Sequence, residues 1–382
     1  MDNDICNNTI CNTATSPGQR QKTLKDYWPS AQNTAVQTLG TPTGTSQQPK
    51  TASQVTRVTA QTKPKGRRKR QQTGICPTSG GLQRKGRHWG SIIRKKRRNM
   101  ARIISGNIGG IRPTVWNNSK LAKLKKTTRD LKADVTLYQE LGVNWSMVKK
   151  HQTLYELLRS EVPTKISTAH NVHERNSIHQ WGGTGIAAFD SVAAKAVDKG
   201  ADTSDMGRWA WMKWDNGVQP LLMVTAYQPN KSDITHPSSV YQQQSRQLLR
   251  TRKEEVDVRE VFREDLCHAL RQWRAQGYAI ILTIDANEDI QTGPLSKEFG
   301  EEDIGLHNIM TTLHPDHDLP ATHVDGSVPI DGAYATNEIR ATLAAYLSTQ
   351  KSLGDHRTLA FDIPIHWFLG RSHSIATPIH AR

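Results

Sequence analysis

The sequence lacks most of what would place a chain across or outside a membrane. No stretch approaches the roughly 18 consecutive apolar residues that a bilayer-spanning helix needs. The opening residues, Met1 to Asn8, are polar and acidic, so no secretory signal is expected. Cysteine is scarce: Cys6, Cys11, Cys76 and Cys267 stand far apart. They read as free thiols in a reducing compartment and show no zinc-ligand spacing. Only 35% of the 382 residues are apolar and 6% aromatic. That composition excludes a collagen, a coiled coil and a disulfide-stapled miniprotein. The length allows about two domains, or one large domain with a tail.

Acid is scarce in one place. Residues 1–100 hold 19 Lys and Arg against Asp2, Asp4 and Asp26, while residues 101–382 carry 32 bases and 32 acids. The whole net charge of +16 therefore belongs to the first hundred residues. Ser30 to Thr73 is mainly Thr, Gln, Ser, Pro and Ala, too poor in large apolar groups to offset its ordering entropy. Three basic clusters, Lys63–Arg70, Arg84–Arg87 and Arg94–Arg98, attract phosphate polymers and have the composition of a nuclear-localisation signal. An anionic membrane is a poorer partner, because no amphipathic apolar face accompanies the charge. The expected organisation is a disordered basic tail over 1–100, a folded domain over 101–370 and a short tail over 371–382. The expected setting is the nucleus or another reducing intracellular compartment.

One tail segment differs from its surroundings. Gln21, Leu24, Tyr27 and Trp28 form a short hydrophobic anchor in a polar region. Their spacing resembles the motif by which replication and repair proteins attach to a sliding clamp, which implies that clamp as a partner.

From Ala101 onward strands and helices alternate irregularly. Ala101–Asn107, Asp134–Tyr138, Gly182–Phe189, Leu221–Tyr227 and Tyr278–Ile284 read as strands, as do Pro329–Thr336 and Arg357–Ile365. Lys120–Lys132 and Met147–Leu158 read as helices, and one long helix is expected from Val240 to Ala275. Trp209, Trp211 and Trp214 are expected on one face of a strand. Some strands lack an intervening crossover, so a purely parallel sheet is excluded. The expected fold is α+β, a sandwich of two largely antiparallel or mixed sheets with helices outside.

The informative feature recurs. Buried-looking strands run into polar residues that a core would not accept: Asn107, Glu140, Tyr227, Asp285 with Asn287, Asp331, and Asp355 with His356. Converging at one sheet edge, such groups make an oxygen-rich site for a hard divalent cation. Singly, an Asp after a strand is more often a turn or helix cap. Together the segments resemble the endonuclease/exonuclease/phosphatase family over about residues 101–370. The resemblance rests on Gly106–Gly110, Leu137–Glu140, Gly182–Ile186, Thr225–Asn230, Ile284–Asn287, Pro329–Asp331 and Gly354–His356, in the family's order.

That resemblance implies a four-layered α/β sandwich and metal-dependent phosphodiester hydrolysis. It implies Glu140, Asn107 and Asp355 as holders of Mg²⁺, with Mn²⁺ as the alternative. Asp285 is implied as the base, Asn287 and Tyr227 as phosphate contacts, Asp331 as the partner of His356, and His356 as a donor to the phosphoryl oxygens. Ala286, Gly354 and Pro329 depart from the family pattern. The basic tail favours DNA as substrate, with RNA as the alternative. Glu140–Trp145 and Tyr241–Gln244 look closer to the retrotransposon branch than to the abasic-site repair nucleases. A monomeric endonuclease is expected, and the rival readings are an inactive nucleic-acid-binding relative and a phosphatase or lipid phosphodiesterase of the same fold.

Overall fold

The computed structural model describes residues 86–370, apart from 116–117, 160–163, 175–176 and 232–235. The Gln21–Trp28 segment and most of the basic tail lie outside the described residues. The folded part starts earlier than Ala101. Strand β1 (Trp89–Gly90) pairs antiparallel with Tyr346 and Ala345, and Trp89 is buried against His314 and Tyr346. The third basic cluster is thereby anchored to this folded part, with Lys96 ion-paired to Asp134 at 2.5 Å.

Along the chain follow β2 (Met100–Asn107), α1 (Ser119–Leu131), β3 (Val135–Gln139), α2 (Leu154–Leu158), β4 (Thr164–Ala169), β5 (Thr184–Phe189), α3 (Asp190–Lys195), β6 (Ala196–Ala201), β7 (Trp209–Trp214) and β8 (Leu221–Tyr227). Then come α4 (Val240–Arg252), α5 (Val258–Ala275), β9 (Ala279–Asp285), α6 (Pro294–Phe299), β10 (Leu306–Asn308), α7 (Ile309–Leu313), β11 (Asp331–Thr336), β12 (Leu343–Tyr346), β13 (Leu359–Pro364) and α8 (His366–Leu369). They build a seven-stranded sheet, β1-β12-β13-β2-β3-β5-β4, and a six-stranded sheet, β10-β11-β9-β8-β7-β6. The two mixed sheets pack against each other chiefly through β3, β4 and β5 on one side and β6, β7 and β8 on the other, with β2 and β3 also meeting β9.

Each sheet holds one parallel pair near its centre, β2 with β3 and β8 with β9. Parallel neighbours end side by side, so their polar last residues become neighbours too. Asn107 lies opposite Gln139, just before Glu140, and Tyr227 lies opposite Asp285. Antiparallel β11 then sets Asp331 opposite Asp285. A second polar group joins the layers under this edge. The buried Gln139 amide donates to Ser105 in its own sheet (3.0 Å) and to Thr225 in the other (2.8 Å). On the outer flank of β2, Arg102 makes a bidentate, buried ion pair with Asp362, its cross-strand partner on β13 (2.7 and 2.8 Å).

Three local expectations need correction. The helix expected over Val240–Ala275 is two helices. Lys253 turns left-handed (φ 60°) and closes α4, and Asp257 caps α5 by accepting from the Arg259 and Glu260 amides. The helix expected over Met147–Leu158 shrinks to a single 3₁₀ turn, Lys150–Gln152, followed by α2. The three tryptophans do not share a face. Trp209 and Trp211 lie against Phe262 and Trp273 of α5, whereas Trp214, at odd spacing from them, packs on Phe368 and donates to the Val192 carbonyl.

Candidate active site

The polar strand ends meet. Asn107, at the end of β2, carries an amide whose Nδ2 donates to Glu140 (2.9 Å) and to Asp285 (2.8 Å), one carboxylate from each sheet. Its Oδ1 accepts from the Gly109 amide at 2.8 Å, which fixes the orientation. His356 lies beyond, with Nε2 3.4 Å from the same amide nitrogen and Nδ1 donating to Asp331 at 2.9 Å. Asp285 is fully buried, Asp331 and His356 nearly so, and Glu140 is half-buried.

Glu140 has φ 53° and Asn287 φ 46°, a left-handed conformation that costs energy for a residue with a side chain and is concentrated at functional sites. Asn287 is held in that turn from three sides. Its amide donates to Asp285 (3.1 Å), its side chain donates to the Gln228 carbonyl (2.8 Å), and Arg259 of α5 donates to its carbonyl (3.1 Å). Arg259 also reaches the Pro229 carbonyl (3.0 Å) and Glu288 (2.7 Å), so one guanidinium ties together the loops that follow Tyr227 and Asp285. Gly354 has a steric reason: a Cβ there would lie 2.8 Å from the Asn107 carbonyl.

Charge in this enclosure is unevenly shared. Burial, followed by repulsion from Asp331, raises the Asp285 carboxyl to about 7, although His356 and the Asn107 amide pull the other way. For His356, burial alone would lower the imidazolium, but Asp331 and Asp285 outweigh it and raise the group to about 10. A protonated imidazole whose Nδ1 faces both carboxylates, Asp331 at 2.9 Å and Asp285 at 3.8 Å, keeps Nε2 available to donate, and the Asp285 carboxyl near neutrality can take up a proton.

The structure brings Asn107, Glu140, Asp285, Asn287, Asp331 and His356 into one hydrogen-bonded set. Tyr227 is placed beside this set, opposite Asp285 in the parallel β8–β9 register. Asp355 is exposed at the rim, its carboxylate 3.8 Å from the His323 ring. Among the described residues, two groups offer ligand atoms within 4.8 Å of one another, His323 with Asp355 and His356, and Asp285 with Asp331 and His356. Either group could hold a divalent metal ion only with His356 neutral, and the buried Asp331 Oδ1 lacks a hydrogen-bond partner there. Glu140 belongs to neither group and is linked to them through Asn107.

Sequence reasoning left His323 open and missed Gln139, Thr322 and Arg259. His323 bridges His356 along the backbone and meets it ring-to-ring at 4.9 Å. The Thr322 hydroxyl accepts from the Ile330 and Asp331 amides (2.9 and 3.1 Å) and so sets the start of β11. Gln139 carried a signal, being a polar residue inside an apolar strand. Arg259 carried none, since its partners lie in two distant loops.

Neither a family model nor a curated protein matches the sequence. Solved structures do resemble the fold. The AP endonuclease LMAP from Leishmania major is 15% identical, with 70% of this chain and 88% of that chain covered and a TM-score of 0.50. The catalytic domain of human Nocturnin is 13% identical, with 71% and 95% covered and a TM-score of 0.49. The endonuclease domain of TRAS1, a telomere-specific non-LTR retrotransposon, is 14% identical, with 70% and 99% covered and a TM-score of 0.43. At such identities the likeness is one of fold alone, two mixed sheets packed face to face with helices outside.

Proposed function

We propose that the protein is a divalent-cation-dependent endonuclease that hydrolyses phosphodiester bonds in DNA, of the nicking or abasic-site type, with RNA as the alternative polymer. The observation that carries this reading is the Asn107 amide joining Glu140 to Asp285, with His356 between Asp285 and Asp331.

Glu140 and the carboxylate of Asp355 are the residues that would hold the cation, with Asn107 beside them. When bound, a divalent ion supplies charge neutralisation at a phosphoryl oxygen and at the leaving alkoxide. The remaining chemistry belongs to the chain. Asp285 accepts the proton of the attacking water as the new P–O bond forms. Its burial supports this role, because a carboxylate stripped of solvent is a stronger base. The Asn287 turn fixes the Asp285 carboxylate. His356, kept protonated by Asp331, donates toward the phosphoryl oxygens where negative charge grows, and Tyr227 is the second donor. Asp331 does not contact substrate; it holds the imidazole through Nδ1 and preserves its charge.

The test is incubation with supercoiled plasmid, an abasic duplex and an inositol phosphate, each with Mg²⁺ and with EDTA. Nicking of either DNA that disappears in EDTA is the expected result. Hydrolysis of the inositol phosphate alone would replace the nuclease reading by a phosphatase one.

A further inference from the structure

Two clefts, about 620 and 510 Å³ in volume, share the side chains of His179 and Trp181, and the smaller is bounded by Gly109 and Gly110, just after Asn107 of the candidate site. Each is within the size range of small-molecule sites, large enough for one nucleotide. Trp181 is 44% exposed, whereas Trp89, Trp209, Trp211, Trp214, Trp273 and Trp367 are each 8% exposed or less. An exposed indole loses the burial that makes tryptophan favourable, so its position at the shared wall of two clefts asks for a partner.

The indole is not on a loose loop. The Leu141 amide donates to the Gly183 carbonyl (3.0 Å) and the Gly142 amide to the Gly182 carbonyl (2.8 Å). The His179 ring lies 3.2 Å from the Gly142 carbonyl and meets Trp181 edge-to-face at 4.9 Å and 72°. Trp181 is therefore held in register with the residues immediately after Glu140. On the other side, the Gly109–Gly110 wall of the smaller cleft carries the amide that holds Asn107.

Charge flanks the indole at both ends. Arg112 and Lys120 line the smaller cleft, and Arg246 with Arg250, one helical turn apart on α4, line the larger. The acid in the larger cleft, Glu174, is paired with Arg246 at 2.8 Å, and Arg250 and Arg112 stay exposed to solvent. Lys120 donates to the Ile108 and Gly109 carbonyls and leaves its charge on the cleft wall.

Cations that track a backbone on either side of an exposed aromatic are the arrangement that binds a single polynucleotide strand. Resting on the nuclease reading above, we propose that Trp181 is a stacking platform for an unpaired base next to the scissile phosphodiester. Arg112 and Lys120 would take phosphates on one side, and the exposed Arg250 on the other. A base paired within a duplex keeps its faces stacked on its neighbours, so the platform selects single-stranded or locally opened nucleic acid.

The test uses the full chain in EDTA with a single-stranded oligonucleotide carrying 2-aminopurine, and with the corresponding duplex. Stacking on Trp181 should quench the 2-aminopurine fluorescence. Trp181→Ala should remove the quenching and weaken single-strand binding by about 10-fold, with duplex binding changed less than about 2-fold. Trp181→Phe should keep most of both signals, and Arg112→Ala with Arg250→Ala should flatten the salt dependence by about two phosphate contacts. Unchanged melting temperatures would show that the variants fold. Equal losses for single strand and duplex, or undiminished quenching in Trp181→Ala, would overturn the platform. Cleavage with Mg²⁺ is scored separately: a protein that binds as described yet cuts no polynucleotide keeps the platform and loses the nuclease reading.

Discussion

The two parallel strand pairs do the same architectural task and end in different chemistry. β2 and β3 finish in Asn107 and, one residue past the strand, the half-buried Glu140, with the exposed Asp355 at the same rim. β8 and β9 finish in Tyr227 and the fully buried Asp285, faced by Asp331. One pair presents oxygens that water and a hydrated cation can reach. The other keeps its carboxylates from water, which raises the proton affinity of Asp285. A single backbone device, parallel ends set side by side, thus yields a half-exposed end and a buried one joined by the Asn107 amide; on the proposed reading the first holds the cation and the second handles the proton.

The sharpest way to break this division is to neutralise one carboxylate on each side. Glu140→Gln and Asp285→Asn should each lower hydrolysis by at least about 10²-fold, as should His356→Ala. The two sides then part company: Glu140→Gln should weaken cation binding in a titration calorimeter, and Asp285→Asn should leave it nearly intact. Equal loss of cation affinity in both would merge the two halves. Full activity in Asp285→Asn would remove it as the base.

Next in size is the join beneath the site. Gln139→Leu leaves Ser105, Thr225 and Thr283 facing an apolar group, and should destabilise the fold by about 1–3 kcal/mol in urea denaturation. Because the Gln139 amide spans both sheets, kcat should fall as well. A variant that loses stability with unchanged kcat would mean that the two pairs are aligned without it.

Titration sharpens the proton-handling half. Both shifted groups are raised in the folded state, so each contributes stability at low pH that is lost as pH rises. For Asp285 the loss runs from its ordinary value near 4 up to about 7, and for His356 from its ordinary value near 6.5 up to about 10. In EDTA, the melting temperature should fall by roughly a few °C between pH 5 and 10. His356→Ala should abolish most of the fall above pH 7. A flat profile in the unsubstituted protein would contradict the buried charge cluster.

The smallest effect on chemistry is expected from the basic tail. Removing residues 1–81 leaves the compact unit Leu82–Arg382, including the β1 strand that a cut at Ala101 would destroy. kcat should be unchanged, while DNA affinity and its salt dependence should both decrease. Equal affinities and slopes with and without the tail would show that its charge serves something other than nucleic acid.

The sequence by itself determined the separation of charge, the central strands and the residues that terminate them. Apolar runs closed by Asn107, Glu140, Tyr227 and Asp285 are legible because a polar residue after a buried strand breaks its own local pattern. Short strands such as β4, β6, β10 and β12 were not legible. Their sequences, Thr164–Ala169, Ala196–Ala201, Leu306–Asn308 and Leu343–Tyr346, carry no strong alternation, and pairing with a neighbour is what makes them strands. Tertiary structure alone decided which strand ends meet. It made one amide bridge two sheets, buried Asp285 deeply enough to raise its carboxyl, and left Trp181 exposed between two clefts. Those outcomes depend on parallel registers and sheet packing between residues more than a hundred positions apart, such as Asn107 and Asp285. Local periodicity reports which face of a strand is apolar; it carries no information about the neighbour that will cover it.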